Sequence, residues 1–377
     1  MSTPNIANFT PFISIQDPRL DRKKLHTLID ILIITICAVL CNVDDWEHIA
    51  EFGKANEEWF KQFLELKHGV PSHDTFGRVF ALLDSSEFEK SFIEWMRLLY
   101  QVSDGEIVPI DGKSLKGTYD KDLRKTTVHL VSAYATRNGV VLGQIKTAEK
   151  SNEITAIPLL LKMLDLKGCI VTIDAAGCQK NIAKGIVDQG ADYVLALKGN
   201  QGSLHEDVKL YLDTEYNKTK SSIPHASYET IEKDHGRIET RRYWVTENID
   251  WLDNRIKWEG LKSIGMVEST RDLNGKISTE RRYYINSIGA DVKKFSKAVR
   301  THWHIENKLH WVLDVTFNED GNRVKHTQAA HNLAIMRRLA LNAVKQDTSK
   351  GSLKTKMLRA GWNKAALVKL LEYLFKF

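Results

Sequence analysis

Glu106-Ile107-Val108-Pro109-Ile110-Asp111-Gly112-Lys113 and Cys169-Ile170-Val171-Thr172-Ile173-Asp174-Ala175-Ala176-Gly177 are built alike. Each is a short apolar run that stops at an aspartate followed by small residues. Runs of this length, rich in Ile and Val, read as buried strands rather than helices. Between them, Thr126 to Ala135 alternates polar and apolar residues, and Val140 to Ile145 is apolar. The Arg137-Asn138-Gly139 turn that joins them is a strong local hairpin signal. Asn152 to Leu164 is helical, with Ile154, Ile157, Leu160, Leu161 and Leu164 on one face. Gln179 to Gln189 reads as a second helix and Tyr193 to Lys198 as a fifth strand.

The order is strand, strand, strand, helix, strand, helix, strand. The first three strands are expected to be antiparallel neighbours, and the last two follow helical crossovers. This is the element order of a ribonuclease H-like fold, an α/β domain with a mixed five-stranded sheet and flanking helices. An open sheet of this kind places its chemistry at the carboxyl ends of its strands, where Asp111 and Asp174 stand.

Working outward, residues 1–103 are expected to form an all-helical N-terminal domain. Leu25, Leu28, Ile29, Leu32, Ile33 and Ile36 recur at helical spacing, and Asp45 to Leu64 is a second amphipathic stretch. Pro71 and Ser72 mark a helix start, with Ser72 as candidate cap. Short helices around that turn suit either a helix-turn-helix, with Arg78 near DNA, or a plain packed bundle. Residues 104–345 carry the catalytic domain, with a β-rich insertion at about 200–290. Within it, Tyr228 to Val245 and Lys257 to Ile285 read as charged hairpins, with Asn274-Gly275 as a turn. Phe295 to Leu313 and Gln328 to Val344 are helical, and 346–377 form a C-terminal helical tail.

The composition is that of a globular protein, with 42% hydrophobic and 27% charged residues in 377. An excess of 54 Lys plus Arg over 48 Asp plus Glu, +6 in all, suits a polyanionic partner or an ordinary mixed surface equally. The cysteines Cys37, Cys41, Cys169 and Cys178 form no Cys-x-x-Cys pair, which points to a reduced interior. Met1 to Thr10 is polar, with no basic stretch followed by an apolar run, so no signal peptide is expected there. The longest apolar run, Leu28 to Leu40, is interrupted by Asp30 and Thr35, so no membrane partner is expected. A soluble, cytoplasmic protein is expected. Phosphate-loop, dinucleotide and Gly-x-Ser-x-Gly motifs are missing.

Three acidic groups carry the chemistry. Asp111 and Asp174 sit on rigid strand ends with small neighbours that leave room for a large substrate. Glu306, in His302-Trp303-His304-Ile305-Glu306-Asn307-Lys308, could complete a carboxylate set for Mg²⁺ or Mn²⁺. Spacing alone does not separate Glu306 from Asp314, Glu319 or Asp320. His302, His304 and His310 cluster locally, but no matched Cys or His pair stands elsewhere at zinc spacing. Phosphate contact or packing beside Glu306 is the better reading. Lys198, Asn200 and Gln201 after the fifth strand, and His235 and Arg237 with Arg241 and Arg242 in the insertion, suit phosphate contact or plain solvated loops.

The stretches Ile110-Asp111-Gly112-Lys113-Ser114-Leu115, Lys150-Ser151-Asn152-Glu153-Ile154, Asp174-Ala175-Ala176-Gly177-Cys178-Gln179, Lys198-Gly199-Asn200-Gln201 and His302 to Lys308 resemble the H-repeat-associated transposases. These are DDE transposases of bacterial insertion sequences. The similarity runs from about residue 12 to about residue 345. It implies a ribonuclease H-like catalytic domain that uses two divalent ions, Mg²⁺ with Mn²⁺ able to substitute. It implies Asp111, Asp174 and Glu306 as the catalytic and metal-binding triad, and so selects Glu306 over its acidic neighbours. It implies a helical N-terminal domain that helps bind transposon ends, and double-stranded DNA, both end and target, as partner. A homodimer or larger assembly on DNA follows by analogy. Many related transposases carry a Tyr and an Arg before the catalytic Glu and a Lys after it. Those positions hold Val299, His302 and Leu313 here. His302 is placed to take the Arg's role as phosphate contact, and Lys113 and Lys308 are further DNA-binding candidates. Two alternatives remain: a domesticated metal-dependent endonuclease, which would give no strand-transfer products, and an inactive DNA-binding regulator, which would not nick DNA with Mn²⁺.

Overall fold

The computed structural model describes residues 9–118, 127–147, 152–218, 221–234 and 236–375. Its N-terminal third is helical: α1 (Thr10–Ile13), α2 (Leu28–Leu40), α3 (Trp46–Ala55), α4 (Glu57–Phe60), α5 (His73–Leu82) and α6 (Ser85–Leu99). Side-chain caps start several of them. The Thr27 hydroxyl accepts from the Asp30 N–H at 3.1 Å, and Asp45 accepts from His48 at 2.9 Å. Ser72 stands at the cap position of α5, but its hydroxyl meets the Thr75 hydroxyl at 3.1 Å instead of a backbone N–H. Helix α2 is buried from Asp30 to Leu40. It lacks a polar stripe because α3 and the C-terminal helices α12 (Thr327–Gln346), α13 (Leu353–Trp362) and α14 (Lys364–Leu374) surround it. The helices of the two chain ends therefore share one core, and α12 also packs on α5, α6 and strand β3 (Val140–Lys146).

The strands expected at the centre of the chain all form: β1 (Ile107–Leu115), β2 (Val128–Ala135), β3, β4 (Ile170–Ile173) and β5 (Asp192–Leu197). They stand in the order 3-2-1-4-5. β2 is antiparallel to β1 and β3, and β1, β4 and β5 are parallel. Helices α7 (Glu153–Met163) and α8 (Lys180–Val187) supply the crossovers. Pro109 has no N–H to give to a ladder, yet it lies in the central strand. It sits where β1 is paired only with β4, before β2 joins at Ile110.

The expected five-stranded sheet has nine strands. After α9 (Ser203–Tyr216) come β6 (Ala226–Asp234), β7 (Arg237–Thr246), β8 (Ser263–Leu273) and β9 (Lys276–Asn286). β9 runs antiparallel along β5, pairing Val194 to Leu197 with Asn286 to Tyr283. The insertion thus extends the sheet to the order 3-2-1-4-5-9-8-7-6. The reason is visible in β9, whose last residues, Tyr283, Tyr284, Ile285 and Asn286, are all buried while its first half is exposed. The buried half joins the core and the charged half projects. The β8–β9 turn is Asn274-Gly275, both at positive φ, 52° and 85°. The chain then enters α10 (Val292–His302), a π-helical turn (Glu306–His310) and α11 (Trp311–Val315) before α12.

Candidate active site

The strand expected to stop at Asp111 runs on to Leu115, because β2 continues to pair with it there. Asp111 lies in β1 one residue past the last pairing with β4 at Ile110, and is paired only with β2, opposite Ser132. The next position must be glycine: a Cβ on Gly112 would lie 2.0 Å from Glu153 Oε1. Glu153, at the start of α7, is held by His129 Nε2 at 2.8 Å, and His129 Nδ1 meets the Ser114 hydroxyl at 2.8 Å. Asp174 follows β4. Its Oδ1 accepts from the backbone N–H groups of Ala176 at 3.0 Å and Gly177 at 3.2 Å, which shapes the turn into α8. Gly177 is required because a Cβ there would meet Ile173 Cγ2 at 2.3 Å.

Glu306 opens the π-helical turn. Such turns insert one residue into a helix and occur often at functional sites. Here the turn sends both Glu306 and His310 toward Asp111 while Leu309 and Leu313 stay in the core. One ligand atom each from Asp111, Glu306 and His310 lies within 4.8 Å of the others. Lys345 of α12 fixes the turn from behind, donating to the Lys308 carbonyl at 2.6 Å and the Tyr134 hydroxyl at 2.7 Å. Burial, with Lys308 nearby, pushes the Lys345 amine down to about 7.

Charge at the cluster is unbalanced. Burial raises the Asp111 carboxyl well above the usual carboxylate range, and the adjacent Glu306 carboxylate raises it further. The His310 imidazole beside Glu306 holds that carboxyl below its ordinary value. Two carboxylates this close favour either a shared proton or a cation between them. A hard-oxygen pair with one imidazole suits a divalent metal ion.

Asp174 is not part of that close group. It lines the same cavity of about 250 Å³, together with Asp111, Glu306, Lys198, Arg282, His302 and Trp303. The three acidic neighbours that spacing could not separate from Glu306 are engaged elsewhere. Asp314 and Asp320 hold the Lys113 ammonium at 2.6 and 3.4 Å. Glu319 is fully buried against Arg338 and Arg337.

The other singled-out residues divide. Lys198 is exposed at the rim of the cavity. His302 points its Nδ1 at the Thr172 hydroxyl, 3.0 Å away, inside it, and burial lowers its pKa. Lys308 is exposed on the π-turn. Lys113 is buried in its carboxylate pair. Asn200 and Gln201 donate to the carbonyls of Ala175 and Cys178, both at 2.7 Å, and so clasp the turn that carries Asp174. Arg237 lies at the insertion's far end and Arg78 on the exposed face of α5. His235 lies outside the described residues. The three local histidines do not converge: His302 turns to Thr172, His310 to the carboxylates, and His304 Nδ1 is buried with no partner among the described residues.

Sequence reasoning missed Arg282 and Arg300, and the helical pattern that puts Trp303 in the core with Leu309 and Leu313 is overturned, since Trp303 is exposed. Arg282 and Trp303 line both the acidic cavity and a second one of about 540 Å³ on the projecting part of the sheet, and Arg300 lines the second alone. The guanidinium of Arg282 lies 5.2 Å from the Trp303 ring centre. The signal was available only in the alternation of β9, which puts Arg282 and Tyr284 on one face. The four-residue spacing of Glu306 and His310 marked a shared helical face, but not that Asp111 would meet it.

Residues 9–96 match the family described as DDE_Tnp_1-associated, and residues 102–343 match the Transposase DDE domain. The "Putative transposase YncI" of Escherichia coli O157:H7 is 43% identical over 374 residues, 97% of this chain and 95% of that one. The "H repeat-associated putative transposase YhhI" of Escherichia coli K12 is 42% identical over 363 residues, 95% of each chain. A solved piggyBac transposase synaptic complex with hairpin DNA aligns with 98% of this chain and 80% of that one at 13% identity, with a TM-score of 0.44. The chain belongs to the DDE-domain transposase family, in the company of the H-repeat-associated members.

Proposed function

We propose that this protein cuts DNA at the ends of an insertion sequence and joins the freed ends to target DNA. Its catalytic carboxylates are Asp111, Asp174 and Glu306 on a ribonuclease H-like core. One observation carries the reading: Glu306, from a helix late in the chain, meets Asp111 at the carboxyl-end edge of the sheet, in a cavity that Asp174 also lines. The close group suits a divalent cation, Mg²⁺ or Mn²⁺, and Asp174 in the same cavity supports the reading of a second. When bound, such ions activate the attacking oxygen and neutralise the leaving oxygen of a phosphodiester.

The chain's own residues do the rest by position and charge. Asp111 is held by the β1–β2 ladder, next to the last β1–β4 pair at Ile110, and Asp174 by its turn and the Asn200–Gln201 clasp. Lys198 brings positive charge to the cavity rim, where a phosphodiester backbone would lie, beside Arg282, which is paired with Glu280 at 2.9 and 3.0 Å. His302 offers a neutral imidazole at the same wall. The partner is double-stranded DNA, with two copies of the chain bringing two ends together.

The test is an oligonucleotide duplex that carries the element's terminal sequence, incubated with the full chain and Mn²⁺. The wild-type protein is expected to nick at the terminus and to give strand-transfer products. Asp111→Ala, Asp174→Ala and Glu306→Ala are expected to retain DNA binding and lose both. Nicking without joined products would reduce the activity to that of a nuclease. Binding without any nicking would reject catalysis.

A further inference from the structure

Resting on the metal-dependent reading above, we propose that His310 is a direct metal ligand through Nδ1, making a two-carboxylate, one-imidazole site with Asp111 and Glu306. The His310 side chain is 5% exposed. Its Nδ1 stands 3.6 Å from Glu306 Oε2 and 3.7 Å from Asp111 Oδ2. Those separations are too long for hydrogen bonds. They are the spacing of atoms that share an ion: two ligands about 2.0–2.2 Å from one metal, at about 90–115° to each other, lie about 3.0–3.7 Å apart.

The ring has one nitrogen free to face the cluster, with no hydrogen bond from a described residue holding it from the far side. Nε2 is buried with no hydrogen-bond partner among the described residues. A buried imidazole with no partner on one nitrogen owes its orientation to packing and to whatever the other nitrogen faces. Here that nitrogen faces the carboxylates of Asp111 and Glu306. The backbone agrees, because the π-helical turn begins at Glu306 and ends at His310, bounded by the two residues whose side chains must converge.

The consequence is metal preference. A site of carboxylates alone suits Mg²⁺, whereas an imidazole ligand shifts preference toward Mn²⁺ or Co²⁺. Asp174, outside the close group but lining the same cavity, is left to help hold a second ion.

Pulsed electron paramagnetic resonance on the Mn²⁺-loaded full chain, without DNA, reads the ligand directly. A bound imidazole gives a ¹⁴N coupling. The coupling is expected in the wild-type protein and in His302→Gln, which removes the other imidazole of the cavity. It is expected to vanish in His310→Gln, with Mn²⁺ affinity down about ten-fold or more. Should His310→Gln fail to fold, the wild-type and His302→Gln spectra still decide. Mn²⁺ bound in an Asp111-dependent way without ¹⁴N coupling overturns the assignment and leaves the metal-dependent reading intact. A protein that binds no Mn²⁺ overturns both.

Discussion

Asp111 is a buried acid beside another acid, and that pairing dictates how the site answers to pH. In the metal-free protein the folded state holds the Asp111 proton to a higher pH than the unfolded chain does. Its contribution therefore favours folding at low pH and is lost as pH rises from the ordinary carboxylate range through the raised value. Glu306, shifted downward, is ionised throughout that window and does not offset the loss. Metal binding needs both carboxylates ionised, so affinity rises with pH. The melting-temperature gain from Mn²⁺ should be larger at about pH 8.5 than at about pH 6, with a full gain of about 2.7 kcal/mol at 100-fold excess over the dissociation constant. Scanning calorimetry checks this, and a gain that shrinks with rising pH would contradict it. At this scale the sequence was half legible. A strand-end Asp followed by Gly announces itself, but the steric reason for Gly112 is a Glu153 carboxylate that arrives from another helix. Lys113 read as a DNA contact because sequence reports its charge and not its carboxylate partners.

Among the elements, the loop after β5 separates two roles for the same residues. If Asn200 and Gln201 serve chiefly as the clasp seen here, Asn200→Ala combined with Gln201→Ala should lower cleavage by about ten-fold and leave DNA affinity nearly unchanged, as loss of an outer support does. Direct phosphate contacts would instead weaken DNA binding and reduce its salt dependence. Binding titrations at several salt concentrations, run beside the cleavage assay, tell the two apart. The elements themselves were legible where period decides. The strand before Asp174 and the helix over α7 lie where the apolar run and helical spacing put them, whereas β1 runs past Asp111 to Leu115 because β2 pairs with its polar half. The π-helical turn was not, because 306–310 carries the same apolar spacing as the flanking helix, and the extra residue is accommodated by Lys345 from α12.

Across the whole molecule, α12 is the shared element. It packs on α2, α5 and α6 on one side and on β2 and β3 on the other. Near its middle, Arg338 and Arg337 are buried against Glu319, which is also buried. Glu319→Ala leaves two guanidinium groups without that partner in the interior and should cost about 3–5 kcal/mol, measured by urea unfolding. A cost below about 1 kcal/mol would mean that water reaches the site and the joint is looser than drawn. This joint links the helices of both chain ends to the sheet, a pairing no local pattern could announce. The nine-stranded sheet was hidden for the same reason. Only the buried ends of the insertion's strands join the core, and the charges of their projecting halves dominate the composition.

The claim beneath all of this is that three acids from β1, β4 and a late helix hold divalent cations in one cavity. Anomalous diffraction from Mn²⁺-soaked crystals of the full chain tests it most directly. The account predicts one manganese bonded to Asp111 and Glu306 and a second bonded to Asp111 and Asp174. Manganese bonded elsewhere, with Asp174 still turned only to the Ala176 and Gly177 amides, would contradict it.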